Sequence, residues 1–170
     1  MVDREHVWPK SIGFKNRYVN DSNTKVFPYA GTDMHNLYMA DRHNNQNGHN
    51  NLPFGNVVDK EKAQKITSST TGEVTGYIGV NKYGIKVYEP RDIDKGNIAR
   101  ALFYMATRYH NFKSMQSYEP ALILVTNFTN DEEVIKTLSV NDTQTKPAEY
   151  GVLEDLLEWN KIDPVDNHER

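Results

Sequence analysis

Between Asp94 and Asn111 the apolar residues Ile98, Ala101, Leu102, Met105 and Tyr109 recur at i, i+3, i+4, i+7 and i+11, the spacing of one face of an α-helix. A helix with such a stripe gains its stability from whatever covers that face, so the rest of the chain must supply a core against it. Asp92 or Asp94 is the expected N-cap. At 170 residues the chain is long enough for one such core and too short to argue for two. The expectation is a single domain over residues 1–170.

Other segments are read around this helix. Val2 to Phe14 mixes strand formers with Pro9 and Gly13, then gives way to a polar stretch reaching Gly31. Asp33–Ala40 alternates imperfectly and predicts a short strand, followed by the polar run from Asp41 to Asn51. The pieces Lys65–Ser69, Glu73–Val80 and Gly84–Tyr88, separated by turn residues, predict a small antiparallel sheet. Towards the C-terminus an apolar piece at Ala121–Val125 precedes an acidic helix near Asp131–Leu138. A second amphipathic helix is predicted from Glu149 to about Asn160, before Pro164. The fold class expected is α+β.

Composition removes several chemistries. With no cysteine there is no disulfide, no zinc–thiolate site, no iron–sulfur cluster and no cysteine nucleophile. No His-Glu-x-x-His or Gly-x-Ser-x-Gly motif is present, which argues against a zinc hydrolase and an esterase. No apolar run approaches the roughly 18 residues of a membrane span, and Met1 to Arg4 does not read as the start of a signal peptide. Twenty Lys+Arg stand against 23 Asp+Glu, a net charge of -3. Taken alone, that balance favours a small-molecule or protein ligand over nucleic acid, although a local field or a bound metal can reverse it.

Glu5 and His6 are adjacent, Pro9 follows, and a second polar cluster comes later in His35-Asn36 and Asn44-Asn45. Neighbours on a strand face opposite ways, so both side chains reach one cleft only if the strand ends or bends there, as Pro9 suggests. Phosphodiester hydrolysis needs a water deprotonated near neutral pH and stabilisation of charge on phosphate and leaving oxygen. An imidazole, with an ordinary pKa of about 6.5, and a hard divalent ion on a carboxylate can supply these. By itself the Glu-His-x-x-Pro pattern is equally satisfied by a surface Glu beside a structural His.

Four ordered blocks go further. They are Arg4-Glu5-His6-Val7-Trp8-Pro9-Lys10-Ser11; Asp33-Met34-His35-Asn36-Leu37 with Asn45 and Asn50-Asn51-Leu52-Pro53-Phe54-Gly55; Val87-Tyr88-Glu89-Pro90-Arg91 through Gly96-Asn97-Ile98-Ala99-Arg100 to Tyr104-Met105; and Leu157-Glu158-Trp159-Asn160 with Asp163-Pro164-Val165-Asp166. In this order the chain resembles the endonuclease I family of periplasmic and secreted non-specific nucleases. The resemblance implies a ββα-metal (His-Me finger) core: a strand bearing Glu5 and His6, a second near Asp33–Met39, and a helix bringing Asn45 to the metal, with extra sheet and helices from the remainder.

It further implies His6 as general base, Mg2+ held by Glu5 and Asn45 (Mn2+ or Ca2+ as substitutes), DNA as substrate with RNA as an additional option, 5′-phosphate products, and a secreted or cell-surface location. No protein partner is implied. Two departures stand out: the family's arginine after the metal asparagine is replaced by Gly48-His49, and a proline-like position is Met39. Relatives also extend beyond both ends of this chain, so a trimmed form or fragment is expected. The rival reading is a non-catalytic nucleic-acid-binding module or a degenerate nuclease.

Lys10, Lys15, Arg17 and Arg42 flank the first two blocks, and Lys10, Arg17 and Arg42 are the candidate phosphate contacts. For each, a scattered surface cation is the commoner explanation. His35 reads as a hydrogen-bonded structural residue, and His43 and His49 as solvated members of a polar loop. Arg100, Tyr104 and Arg108 recur at i, i+4 and i+8, which suits a solvated or salt-bridged helix face better than a DNA-facing stripe.

Overall fold

The computed structural model describes residues 2–13, 17–18, 25–26, 29–110, 122–126 and 148–167; for residues 17–18, 25–26 and 29 it describes the backbone alone. The helix expected near Asp131–Leu138 and the side chain of Arg17 lie outside what is described.

Strand β1 (Val2–His6) is followed by β2 (Arg17–Tyr18) and β3 (Lys25–Val26), which pair with each other. Strand β4 (Leu37–Asp41) returns antiparallel to β1, setting Glu5 opposite Tyr38 and His6 opposite Leu37. The strand expected from Asp33 begins only at Leu37, because Met34–Asn36 is a 3-10 turn capped by Asp33. The Asp33 carboxylate accepts the His35 amide at 2.9 Å, a local bond that takes this amide away from a ladder.

After β4 comes a helical turn that ends in π geometry over Asn44–His49. Then β5 (Gln64–Thr67), β6 (Val74–Val80) and β7 (Lys86–Pro90) form the predicted antiparallel sheet, within about two residues of the expected bounds. Tyr88 on β7 sits where a Cβ on Gly76 would be, so only glycine fits opposite that ring.

The predicted long helix is α1 (Asp92–Tyr109), and it buries Ala101, Leu102, Met105 and Tyr109 on its stripe. Its N-cap is Arg91, without a side-chain cap; Asp92 and Asp94 instead stand in the first turn. Both acids are taken by cations, Asp94 by Arg91 at 2.8 Å and Asp92 by Lys95 at 2.7 Å, where negative charge also suits the helix N-terminus.

Strand β8 (Leu122–Val125) pairs in parallel with β9 (Ala148–Val152), and α2 (Leu153–Ile162) follows directly. The helix predicted from Glu149 therefore starts four residues late. Tyr150 and Val152 are strand formers, and Gly151 holds φ at +74°, a conformation no helix contains. One hydrophobic cluster joins Trp8, Phe54, Ile66, Tyr88, Leu102, Tyr150, Leu156 and Trp159, so β1's exit, the three-stranded sheet and both helices share a core. Among the described residues no helix is long and apolar enough to cross a membrane.

Candidate active site

Glu5, His6 and Asn45 line one cleft of about 220 Å³, together with Arg4, Pro9, Lys10, Ser11, Asn50 and Asn51. The bend that lets neighbours share this cleft is clamped by Asn36, which is wholly buried. Its Oδ1 accepts the Trp8 amide at 2.6 Å, its Nδ2 donates to the Trp8 carbonyl at 3.1 Å, and its own carbonyl accepts the Val7 amide at 3.1 Å. Asn36, the residue before β4, thus carries the β1–β4 pairing one step past His6 and holds the chain through Trp8, so Pro9 comes after the turn is already fixed.

His6 donates from Nε2 to the carbonyl of Gly31 at 3.0 Å, which leaves Nδ1 as the lone-pair nitrogen. Half-burial lowers its pKa below the ordinary value of 6.5; the Gly31 bond and Glu5 push the other way, while Lys10 and Arg4 add to the fall. The net result favours the neutral ring, the form that can accept a proton.

Glu5 is only 9% exposed. One carboxylate oxygen, Oε1, accepts a hydrogen bond from Nδ1 of His49. His49 is itself buried, stacked on Phe54 with ring centroids 4.1 Å apart, and its Nε2 meets the Tyr150 hydroxyl, which donates to the Leu52 carbonyl at 2.7 Å. The second oxygen of Glu5 has no hydrogen-bond partner among the described residues.

Asn45 is delivered by the π turn. The Asn50 amide donates to the Asn45 carbonyl at 2.8 Å, and Asn50 adopts φ +49°, a left-handed conformation that asparagine tolerates better than most residues. The neighbouring Asn44 Oδ1 accepts from the hydroxyls of Tyr88 at 2.6 Å and Thr75 at 3.2 Å, tying the turn to the three-stranded sheet. The Asn45 amide nitrogen donates to the Arg4 carbonyl at 3.5 Å, so its Oδ1 is the end left for a ligand. Glu5 and Asn45 also border a second, larger cavity of about 360 Å³ between β4, the sheet and the start of α1.

Of the candidate phosphate contacts, Lys10 lines the cleft beside His6. Arg42 does not: its guanidinium pairs with Asp3 at 3.1 Å on β1. His35 is exposed, stacked on Tyr104 at 4.2 Å and bonded to Asp33. Arg100 packs α1 onto the C-terminal segment through Asn160 Oδ1 and the Asp163 carbonyl, and Tyr104 donates to Asp33, so this stripe serves the fold.

Two expectations about histidines are corrected. His43 is half-buried, with Nδ1 at 3.1 Å from the Thr67 carbonyl, and His49 is almost fully enclosed. The aromatic rings of Phe54, Tyr88 and Tyr150 close over His49 from distant parts of the chain. The one sequence signal was the departure at Gly48-His49 from the arginine of related proteins. Nothing in the sequence pointed to Tyr150.

Over residues 1–170 the chain matches the family model described as Endonuclease I. It is 35% identical over 170 residues to an extracellular ribonuclease of Bacillus subtilis (strain 168), covering 99% of this chain and 44% of that protein. An extracellular ribonuclease of Bacillus amyloliquefaciens is 34% identical over 169 residues, with the same coverage. The chain therefore spans less than half the length of these curated relatives. No solved structure matches it.

Proposed function

The chain belongs to the endonuclease I family, and on that footing we propose that its cleft hydrolyses phosphodiester bonds of DNA, and of RNA as well, without sequence specificity and with a divalent metal ion. The observation carrying this reading is the convergence of a neutral, half-buried His6 with Glu5 and Asn45 in one cleft. The bulk charge, which alone favoured a smaller ligand, is outweighed by the family and by the cations Arg4 and Lys10 at the cleft. The β1–β4 pair followed by the turn carrying Asn45 supports a ββα-metal core, within one domain over residues 1–170.

The donors available suit magnesium. Glu5 offers one carboxylate oxygen and Asn45 an amide oxygen, both hard ligands, and a two-residue set suits an ion that keeps several waters. Among the described residues no group of three or more His, Cys, Asp or Glu side chains could form a fuller cage. When bound there, the ion supplies neutralisation of the charge that builds on the phosphate and the departing 3′ oxygen.

The remaining steps belong to the chain. Nδ1 of His6 takes a proton from a water aligned with the scissile phosphate, held in register by the Gly31 bond. The water oxygen bonds to phosphorus as the bond to the 3′ oxygen breaks, and the departing oxygen takes a proton from solvent, giving a 5′-phosphate and a 3′-hydroxyl. Lys10 attracts the phosphate. The extracellular location of the named relatives supports a secreted protein.

The test is hydrolysis of single-stranded RNA and duplex DNA by the 170-residue chain, across a Mg2+ titration, beside Glu5→Gln and Asn45→Ala. The reading predicts metal-dependent cleavage and a higher Mg2+ requirement in both variants. Folded protein that binds nucleic acid without cleaving it would select the non-catalytic rival.

A further inference from the structure

We infer that His49 and Tyr150 are positioning residues for the metal ligand Glu5, and that β9, which carries Tyr150, thereby completes a site otherwise built from residues 4–51. This inference rests on the proposed role of Glu5. His49 Nδ1 donates to Oε1 of Glu5, and the other ring nitrogen meets the Tyr150 hydroxyl. The Tyr150 hydroxyl also lies 2.7 Å from the Leu52 carbonyl, so it bridges that carbonyl and Nε2 of His49. The chain of contacts thus runs from a backbone carbonyl to the carboxylate, across 145 residues of sequence, without reaching solvent: Glu5, His49 and Tyr150 are 9%, 3% and 0% exposed.

Packing alone does not account for this arrangement. A phenylalanine at position 49 would stack on Phe54 as well as the imidazole does at 4.1 Å, yet it could hold neither Glu5 nor Tyr150. With Oε1 held, the carboxylate is restrained at the edge of the cleft, and its other oxygen has no hydrogen-bond partner among the described residues. Supporting bonds of this kind fix a ligand's geometry, and their loss costs about 10- to 100-fold in metal affinity or activity. The same bond also prevents Glu5, buried beside the core, from turning inward as an unpaired charge.

The experiment titrates Mn2+ into the folded chain without nucleic acid, followed by electron paramagnetic resonance, and compares wild type with His49→Phe, Tyr150→Phe and Glu5→Gln. His49→Phe is expected to weaken Mn2+ binding about 10- to 100-fold, and Tyr150→Phe to weaken it less but in the same direction. In cleavage assays both should raise the Mg2+ needed for half-activity while leaving KM for nucleic acid at saturating Mg2+ unchanged, a split that simple loss of packing does not produce. Wild-type Mn2+ affinity in folded His49→Phe overturns the inference. Should His49→Phe fail to fold, wild-type affinity in Tyr150→Phe overturns it, since that variant removes only a hydroxyl. Glu5→Gln separates the two levels: if it too binds Mn2+ normally, the metal-site reading itself has failed.

Discussion

Asn36 Oδ1 accepts the amide of Trp8 at 2.6 Å, two residues past His6, and so fixes where β1 ends. The catalytic histidine proposed here owes its place to that bond as much as to its own contact with Gly31. Asn36→Ala leaves the Trp8 amide and carbonyl unpaired in the core, at about 1–3 kcal/mol for each buried group. Urea unfolding should show a loss of roughly 3 kcal/mol, and the remaining folded protein should cleave more slowly than wild type.

Gly48 supports Asn45 by being small. A Cβ there would stand 3.0 Å from Asn44 Oδ1 and 3.0 Å from Ile66 Cγ2, inside the turn whose Asn44 accepts Tyr88. Gly48→Ala is expected to cost about 1–3 kcal/mol through overpacking and to raise the Mg2+ requirement by shifting Asn45. Thermal unfolding and a Mg2+ titration of cleavage measure the two effects separately.

Burial by itself would raise the Asp33 carboxyl, but the His35 amide and the Tyr109 and Tyr104 hydroxyls donate to it and hold its pKa below the ordinary 3.8. A depressed folded value stabilises the protein at pH above the unfolded value, and that contribution disappears as pH falls through the folded one. Asp33→Asn should therefore be less stable than wild type at pH 5. The gap in urea midpoint should narrow as pH is taken well below 3.8.

Lys10 is the candidate phosphate contact that the fold places in the cleft. Replacing it with alanine should raise KM for DNA and reduce the slope of log affinity against log salt by about 1. Arg42→Ala, which removes one of the two partners of Asp3, should leave that slope unchanged.

The sequence made some of this visible and hid the rest for physical reasons. Helix α1 was legible because its apolar face repeats with the helical period, and the family because its blocks stand in order; that resemblance singled out Glu5, His6 and Asn45, which the fold brings to one cleft. Glu149–Val152 reads as the start of a helix because Val152, Leu153, Leu156 and Leu157 satisfy a helical spacing, and the parallel pairing with β8 that makes it strand is non-local. His49 looked solvated because its neighbours in sequence are polar. The rings that bury it, Phe54, Tyr88 and Tyr150, arrive by tertiary folding. Arg42 carried the right charge beside the right block, yet Asp3 across the β1–β4 pair claims it.

The central claim is that His6 acts as the base in a metal-dependent cleft, and nicking of supercoiled plasmid tests it most directly. The 170-residue chain with Mg2+ should convert plasmid to open-circular and then linear form, EDTA should abolish this, and folded His6→Ala should be slower by about 10²- to 10⁴-fold. Cleavage at the wild-type rate by His6→Ala, or undiminished cleavage in EDTA, would contradict the account.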